Sequence, residues 1–305
     1  MGAATGRLRL GTRASPLARA QAELVRAALA SRHAGLEVEL VFVRTTGDRL
    51  RGPLAPAGGK GLFVKEIEEA LAGGHVEAGV HSMKDLPARL APGLVVAAVP
   101  ERVDPRDVLV GGEGGLAGLP PGARVGTASP RRRAQLLARR PDLEVVLLRG
   151  NVDTRLRKWR AGEVDALLLA AAGLARLGIT EPAARPLAVE EFLPAVGQGA
   201  LALECRADDA STRAILAAVD DPVAATAVAA ERAFLTTVGG DCNTALAAHA
   251  TVADGQVTLR ALVADPDGRR QLEDHGTASA GEAAALGRKL AERLLAAGAA
   301  ALIGR

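Results

Sequence analysis

The stretch RVGTASPRRRAQLLARRPDLEVVLL, residues 124–148, decides the fold. Its two ends, Arg124–Gly126 and Val145–Leu148, are short apolar runs that are typical of buried strands. Between them Ser129, followed by a proline, is typical of a helix N-cap, and a helix is predicted over Pro130–Arg140. A strand, a helix and a second strand in this order predict an α/β chain with parallel strands.

The same alternation continues on both sides of this stretch. Further strands are predicted at Arg7–Gly11, Leu36–Val43, Ala78–His81, Leu94–Val99, Ala166–Leu169 and Ala200–Cys205. Further helices are predicted at Pro16–His33, Leu62–Ala72, Val152–Ala161 and Ala170–Leu177. From Pro222 the pattern changes to that of a small α+β domain, in which Asp254 and Gly255 are typical of a hairpin turn. Its predicted elements are a helix at Pro222–Val238, strands at Ala245–Ala253 and Gln256–Ala264, and a helix at Gly281–Ala297.

Length and composition exclude several classes of protein. The chain has 305 residues, enough for about two or three domains, and 49% of them are hydrophobic. Its two cysteines, Cys205 and Cys242, cannot form a disulfide framework, and no Cys or His cluster has metal-ligand spacing. No run reaches the ~18 apolar residues of a membrane span, and the N-terminal sequence lacks the apolar segment of a signal peptide. We therefore expect a cytoplasmic protein without a metal.

The basic residues are concentrated in one segment of the chain. Residues 124–160 contain eleven Lys and Arg against three Asp and Glu, whereas the rest of the chain has 27 basic and 32 acidic residues. A solvated protein face usually mixes charges of both signs. This surplus therefore favours an anion-binding surface.

Three predicted helix starts combine a capping side chain with nearby arginines. The caps are Ser15, Ser129 and Asn151, and the arginines beside them are Arg13, Arg131, Arg132, Arg133, Arg149 and Arg155. A cation at a helix N-terminus opposes the helix dipole, whereas an anion there is bound by the free N–H groups, the dipole and a guanidinium together. The pattern predicts anion sites; the alternative is that these arginines point into solvent.

A second polar cluster follows a predicted strand in VHSMKDLP, residues 80–87. Ligands of α/β proteins bind at the carboxyl ends of strands. Asp85, next to Lys84, is therefore a candidate general acid or base. The alternative is a turn with an exposed ion pair.

The two thiols differ in their sequence surroundings. Cys242 lies in the Gly-rich loop VGGDCNTALAAHA, where a thiol is accessible, whereas Cys205 lies in a predicted strand and is expected to be a packing residue. The Gly-rich stretches at 56–63 and 197–202 lack the context of a phosphate-binding loop and of a dinucleotide fingerprint. Cys242 is therefore the candidate for covalent chemistry.

Eight stretches of the chain resemble the porphobilinogen deaminase family, also called the hydroxymethylbilane synthases. They cover the chain in order: GTRASPLARAQ (11–21), GGKGLFVKEIEEAL (58–71), VHSMKDLP (80–87), GTASPRRRAQL (126–136), LRGNVDTRL (148–156), AAAGLARLGI (170–179), LPAVGQGALALECR (193–206) and ERAFL (231–235). The resemblance implies an α/β fold of two periplasmic-binding-protein-like lobes around a cleft, with a small α+β C-terminal domain that carries the cofactor loop. It places the first lobe at 1–99 with 200–219, the second at 100–199 and the C-terminal domain at 220–305.

The resemblance also implies a transferase of tetrapyrrole, and hence heme and other porphyrin, biosynthesis. Four porphobilinogen molecules would be deaminated and joined stepwise to hydroxymethylbilane, with release of ammonia, on a dipyrromethane cofactor attached through a thioether. The only implied partner is the small-molecule substrate, with no nucleic acid and no membrane, and the implied state is a monomer. The loop at 45–61 would cover the cleft as a lid.

The functional positions of the family fall on residues of this chain. Asp85 matches the catalytic carboxylate, and Cys242 matches the residue that carries the cofactor. The other implied cofactor ligands are Lys84, Ser129, Arg131, Arg132 and Arg155, and the implied substrate ligands are Arg13, Ser15, Arg149 and Arg176. Because each pyrrole carries an acetate and a propionate, the growing chain is a polyanion, which is the kind of ligand that the arginine pattern predicts.

One loop departs from the pattern of the family. Family members usually have Gly-Gly-Cys with a proline three residues after the cysteine, whereas here Asp241 precedes Cys242 and Ala245 takes the position of the proline. The neighbouring carboxylate is expected to raise the pKa of the thiol by like-charge repulsion.

Two other functions are compatible with parts of the sequence. A two-lobed binding protein for an anionic small molecule would need the same arginines, but it would not need Asp85 and Cys242. Nucleic-acid binding through residues 124–160 is disfavoured because Trp159 is the only aromatic residue there, so no stacking platform is present.

Overall fold

The computed structural model describes residues 6–45, 64–241 and 243–303. Its strands, in chain order, are β1 (Gly6–Arg13), β2 (Leu36–Val43), β3 (Ala78–Ser82), β4 (Leu94–Ala98), β5 (Asp107–Val110), β6 (Arg124–Thr127), β7 (Glu144–Leu147), β8 (Ala166–Ala170), β9 (Ala184–Pro186), β10 (Leu201–Arg206), β11 (Leu246–Ala253), β12 (Gln256–Ala264) and β13 (Gln271–Ser279). Its α-helices are α1 (Pro16–Arg32), α2 (Lys65–Ala72), α3 (Pro130–Arg139), α4 (Val152–Arg160), α5 (Ala171–Arg176), α6 (Ala210–Ala217), α7 (Pro222–Val238), α8 (Ala283–Ala296) and α9 (Ala299–Leu302).

The chain divides into two compact units, and the first of them takes the chain up to Arg102 together with Ala200–Ala225. It contains a five-stranded sheet in the order β2-β1-β3-β10-β4. Strands β2, β1 and β3 are parallel, and β10 is antiparallel to both of its neighbours. Helix α1 buries Ala22, Val25 and Leu29 against the sheet. These positions lie on one face of a helix, so their apolar side chains explain why this segment folds as an amphipathic helix on the sheet.

The second unit, Val103–Gly199 with the chain from Thr226 onward, contains two sheets. One has five strands in the order β7-β6-β8-β5-β9, in which β7, β6 and β8 are parallel and β5 is antiparallel to both neighbours. The strand order of the first unit is therefore repeated. The other sheet is the antiparallel β11-β12-β13, and α8 packs against it.

The hairpin turn between β11 and β12 confirms the prediction from the pair at 254–255. Asp254 has φ 51° and Gly255 has φ 71°, so the backbone of both residues is in the left-handed region. This conformation is that of a type I′ turn, which fits the right-handed twist of paired strands. The adjacent pair Ala253 and Gln256 closes the ladder.

The fold class is confirmed as α/β with two similar sheets and a small α+β part, and every strand and helix predicted within the described residues is present. Five elements were not predicted: β5, β9, β13, α6 and α9. Strand β13 is QLEDHGTAS at the edge of its sheet, and its alternate residues are exposed. It therefore lacks the apolar alternation that identifies a strand in sequence. The last long helix begins at Ala283, after a 3₁₀ turn over Ala280–Glu282, and not at Gly281 as expected.

Two expectations stay predictions. The lid was predicted at 45–61, and its residues 46–61 lie outside the described residues. The division into three domains, 1–99 with 200–219, 100–199 and 220–305, is not tested by the structure. Among the described helices, none combines the length and the apolar character that a membrane crossing requires.

Candidate functional site

In each unit the residues assigned from the sequence follow parallel strands at one sheet edge. In the first unit Arg13 ends β1, and Lys84 and Asp85 follow the neighbouring strand β3. In the second unit Ser129 follows β6, and Asn151 follows the neighbouring strand β7. The carboxyl ends of parallel strands are where ligands of α/β sheets bind. The fold therefore brings these residues together within each unit.

The three predicted helix caps are confirmed. Ser15 Oγ accepts a hydrogen bond from the Ala18 N–H at 3.3 Å, and Ser129 Oγ accepts one from the Arg132 N–H at 3.4 Å. Asn151 Oδ1 accepts one from the Thr154 N–H at 3.1 Å. Each cap satisfies one of the N–H groups that a helix start leaves without an intrahelical acceptor.

A 3₁₀ turn, Met83–Asp85, presents Asp85 at the end of β3. Met83 and Leu86 are buried on either side of the pair Lys84 and Asp85. The Met83 N–H donates to the Ala200 carbonyl at 3.0 Å, which fixes the start of the turn. The turn leaves Asp85 exposed and Lys84 half-buried. A carboxylate held in this way can accept hydrogen bonds from a ligand or transfer a proton to it.

Arg131 and Arg132 do not point into solvent, because both bind an internal carboxylate. Asp107, the first residue of β5, is fully buried, and the two arginines are 4% and 5% exposed. Arg131 Nη1 donates to Asp107 Oδ2 at 2.6 Å, and Arg132 Nη2 donates to Asp107 Oδ1 at 2.7 Å. Gln198 Nε2 donates to the same Oδ1 at 3.0 Å. An internal anion therefore accounts for part of the arginine pattern, and a role of these two arginines as cofactor ligands stays a prediction.

The charges of this cluster are strongly coupled. Burial alone would raise the pKa of Asp107, but the guanidinium groups of Arg131 and Arg132 hold it well below its usual range. Burial lowers the pKa of Arg132, and the Asp107 carboxylate only partly offsets this effect. Sequence reasoning missed Asp107. Its signal was an acidic residue directly before the apolar run 108–110, close to a basic segment.

Two other arginines are half-buried without a carboxylate beside them in the described part of the chain. Burial lowers the pKa of Arg176 to about 10, and its Nη2 donates only to the Gly199 carbonyl, at 2.7 Å, among the hydrogen bonds of the described residues. Arg149 Nε is buried and has no hydrogen-bond partner among the residues that the structure describes. Burying polar atoms of a cation is costly unless they are paired. Both side chains are therefore suited to bind an anion from outside the chain.

Two further arginines of the basic segment, Arg155 and Arg133, have different kinds of partner. Arg155 Nε donates to the Gly150 carbonyl at 2.7 Å, which places its guanidinium beside the start of α4. Arg133 forms an exposed ion pair with Asp267 at 2.9 Å. Arg133 therefore contributes to the surface of the unit rather than to a cluster of unsatisfied cations.

Cys205 is a packing residue, as the sequence predicts. Cys205 is fully buried in β10, and burial raises the pKa of its thiol to about 11. Cys242 lies outside the described residues. Beside it, Asp241 Oδ1 accepts hydrogen bonds from the Asn243 N–H at 2.9 Å and from Thr244 Oγ1 at 3.1 Å. The carboxylate that departs from the family pattern is thus held by its own loop.

The donor set of the second unit fits a polycarboxylate better than a metal. Arg131 Nε, like Arg149 Nε, is a buried donor without an acceptor among the described residues. No group of three or more His, Cys, Asp or Glu that could hold a metal ion occurs in the described part of the chain. Guanidinium groups pair with carboxylates in bidentate geometry. A ligand with several acidic side chains would satisfy these donors.

Two family models match successive parts of the chain. The model "Porphobilinogen deaminase, dipyromethane cofactor binding domain" matches residues 8–214, and "Porphobilinogen deaminase, C-terminal domain" matches residues 225–296.

Curated relatives match the chain over almost its full length. The porphobilinogen deaminase of Syntrophotalea carbinolica is 53% identical and aligns with 96% of this chain and 93% of its own. That of Trichlorobacter lovleyi is 48% identical and aligns with 97% and 96%. Among solved structures, the alkanesulfonate-binding protein SsuA of Xanthomonas axonopodis pv. citri matches 77% of this chain and 75% of its own at 16% identity, with a TM-score of 0.38.

Proposed function

This chain belongs to the porphobilinogen deaminase family, and we propose from that membership how its side chains divide the work of the reaction. The protein is a transferase of tetrapyrrole biosynthesis, a hydroxymethylbilane synthase, and it carries a dipyrromethane cofactor. It joins four porphobilinogen molecules to hydroxymethylbilane with release of ammonia. When bound, the dipyrromethane supplies the pyrrole to which the first substrate unit is joined.

The observation that carries the assignment of Arg149 and Arg176 is that each is half-buried with no carboxylate beside it among the described residues. Arg176 has a pKa lowered by burial to about 10, and Arg149 has a buried Nε without an acceptor among the described residues. An acetate or propionate of the substrate chain would supply the missing negative charge, and charge-assisted hydrogen bonds are each worth roughly 1.5–3 kcal/mol. We assign Arg149 and Arg176 to substrate binding.

The second unit also provides the groups that we assign to the cofactor. Ser129 caps α3, and the first turn of that helix carries Arg131 and Arg132. Their shared partner Asp107 balances only one of the two positive charges. Arg155 lies in α4, beside the carbonyl of Gly150. These side chains would hold carboxylates of the dipyrromethane at helix starts, where the dipole favours an anion.

In the first unit we assign the chemistry to the turn after β3. Asp85 would accept hydrogen bonds from pyrrole N–H groups, stabilise positive charge that develops on the substrate and move a proton, an electrostatic role that exclusion of water strengthens. Lys84 would bind a carboxylate of the cofactor. Arg13 at the end of β1 and Ser15 at the start of α1 would bind a carboxylate of the substrate.

The thiol that we assign to cofactor attachment is that of Cys242, which would form the thioether. Cys205 is a poor nucleophile, because burial raises its thiol pKa to about 11 and so disfavours the thiolate. In the altered loop, the Asn243 N–H and the Thr244 hydroxyl donate to the Asp241 carboxylate and so hold it within its own loop.

We further propose three domains, 1–99 with 200–219, 100–199 and 220–305, in a monomeric cytoplasmic enzyme whose partner is porphobilinogen alone. The relatives aligned over 93% and 96% of their own length are both named porphobilinogen deaminase. This agreement supports an enzyme rather than a binding protein without catalysis.

The assignment of Arg149 and Arg176 is tested by replacing each with methionine. We expect kcat/KM for porphobilinogen to fall about 10- to 100-fold, as the loss of a charge-assisted hydrogen bond predicts. Arg133→Met is the matched control, because Arg133 pairs with Asp267 on the surface, and its kinetics are expected to stay within about twofold of the parent. Steady-state kinetics check this result. Parent-like values for both Arg149→Met and Arg176→Met would remove these residues from the binding site.

A further inference from the structure

Asp107 lies where it can organise the cofactor ligands without being one of them. It begins β5 and pairs with Ala170, the last residue of the antiparallel strand β8. Its carboxylate is therefore at the same sheet edge as the start of α3. There it accepts five hydrogen bonds: two from Arg131, two from Arg132 and one from Gln198.

These hydrogen bonds restrain two long side chains at once. Arg131 Nη1 also donates to the Leu193 carbonyl, and Arg132 Nη1 donates to the Leu168 carbonyl, each at 2.8 Å. Each guanidinium is thus held from two sides. Arginine loses considerable rotamer freedom when it is fixed, and a site that fixes it before the ligand arrives avoids that cost at binding.

The charges of the cluster formed by Asp107, Arg131 and Arg132 do not balance, and one of its hydrogen-bond donors has no acceptor among the described residues. Two guanidinium groups face one carboxylate, which leaves a surplus of one positive charge, and Arg131 Nε is buried without an acceptor among the described residues. A salt bridge that served stability alone would gain from a balanced set of charges, since an unpaired buried charge is destabilising. The surplus points to a second anion.

We propose that Asp107 is a positioning residue: it holds Arg131 and Arg132, before the cofactor is attached, in the orientation in which they receive one carboxylate of the dipyrromethane. This proposal rests on the assignment of the two arginines to the cofactor. Asp107 itself makes no contact with the cofactor, since an acid that touched a carboxylate would repel it.

The test measures uptake of the cofactor by protein made in a host that cannot make porphobilinogen. Porphobilinogen is then added, and intact mass is followed in time until the dipyrromethane adduct appears. Asp107→Asn keeps the shape of the side chain and removes its charge. We expect uptake at least tenfold slower than in the parent, in protein that is shown to be folded by circular dichroism.

The matched control is Leu109→Ala, two residues further along β5 and also fully buried. It leaves a cavity and lowers the melting temperature, but its uptake is expected to equal that of the parent. Uptake by Asp107→Asn within twofold of the parent would overturn the proposal, and so would equal slowing in Leu109→Ala, which would show a merely structural effect. If the parent itself took up no dipyrromethane, the proposed function would fail and the role of Asp107 would fail with it.

A second variant covers the case in which Asp107→Asn does not fold. Gln198→Ala removes one of the five hydrogen bonds to the carboxylate and keeps the charge. We expect uptake to slow two- to fivefold, while the melting temperature changes less than in Leu109→Ala. Uptake equal to that of the parent would count against the proposal.

Discussion

At the scale of single residues, the partner of each arginine decides what it can do. Within the basic segment, several arginines have a carboxylate of the same unit beside them: Arg124 with Asp165, Arg133 with Asp267, Arg140 with Asp142 and Arg160 with Glu181. Their charge is therefore balanced within the protein. Arg149 and Arg176 have no such pair among the described residues, and this difference separates candidate ligands from surface charges.

The role of Asp85 makes the first prediction at this scale. Asp85→Asn keeps the size of the side chain but removes its negative charge and its ability to take up a proton. Since positioned acids and bases contribute about 10²–10⁴-fold to rates, kcat is expected to fall by at least about 100-fold. Porphobilinogen turnover and the melting temperature are measured together, and the melting temperature should change little because Asp85 is exposed.

The control for this variant is Asp208→Asn, an exposed aspartate of the same unit outside the assigned site. It should keep the turnover of the parent. Near-normal turnover by Asp85→Asn would remove this carboxylate from the mechanism.

At the scale of elements, side-chain caps set where helices begin, and Asp209 gives a pH-dependent case. Asp209 caps α6 by accepting from the Thr212 N–H at 2.9 Å, and it pairs with Arg206. Partial burial would raise its pKa, but the hydrogen bonds from Thr212 and Ser211 and the charge of Arg206 lower the pKa to about 2. The carboxylate therefore stabilises the fold above about pH 4 and loses this effect as the pH falls toward 2.

Asp209→Ala is expected to lower the free energy of unfolding at pH 7 by about 0.5–2 kcal/mol, as loss of a helix cap predicts. The difference from the parent should shrink as the pH is lowered from 4 toward 2. Urea unfolding at several pH values measures it, with Asp208→Ala as the control. A difference that stays constant with pH would show that the charge of Asp209 contributes nothing.

The turn between β12 and β13 gives a second prediction about an element. Gly268 in this turn has φ 69°, and a Cβ there would lie 2.0 Å from the Ala134 carbonyl oxygen of α3. The turn of the small sheet thus packs directly on the helix that carries Arg131 and Arg132. Gly255, with φ 71°, is in the other hairpin turn of the same sheet, and a Cβ there would meet no atom within 4 Å.

Gly268→Ala and Gly255→Ala share the backbone strain of a left-handed residue, so their difference isolates the contact with α3. We expect Gly268→Ala to cost about 1–3 kcal/mol more free energy of unfolding, because a methyl group must displace the backbone of the helix. Chemical denaturation measures both variants. Equal losses would mean that α3 and the turn are free to separate.

At the scale of the whole molecule, periodicity and helix signals were enough to predict most of the architecture. The prolines and caps at Ser15 and Ser129 fixed two helix starts, and the Asp254-Gly255 turn fixed the register of β11 and β12. Strand β13 could not be predicted because it is an edge strand without an apolar alternation. Helix α6 lacks a clear apolar face in sequence, since only Thr212 and Leu216 of its eight residues are buried.

The candidate site was predictable in its residue types but not in its pairing. A count of charges over residues 124–160 identifies a basic segment, but it does not show that Arg131 and Arg132 share Asp107, which lies outside that segment. Ion pairs between strands and helices depend on tertiary contacts, for which one sequence has no local signal. The family resemblance identified the pyrrole chain as the ligand, and the structure identifies Asp107 as the internal carboxylate that pairs with the two arginines.

The central claim is that Cys242 carries a dipyrromethane, and intact-mass spectrometry tests it most directly. Protein made in a host that makes porphobilinogen is compared with Cys242→Ser and with Cys205→Ser, which changes a buried thiol whose pKa is raised to about 11. The parent and Cys205→Ser should each carry one adduct with the mass of a dipyrromethane, and Cys242→Ser should have the mass of its sequence alone. A folded parent without the adduct, or a Cys242→Ser variant that keeps it, would contradict the account.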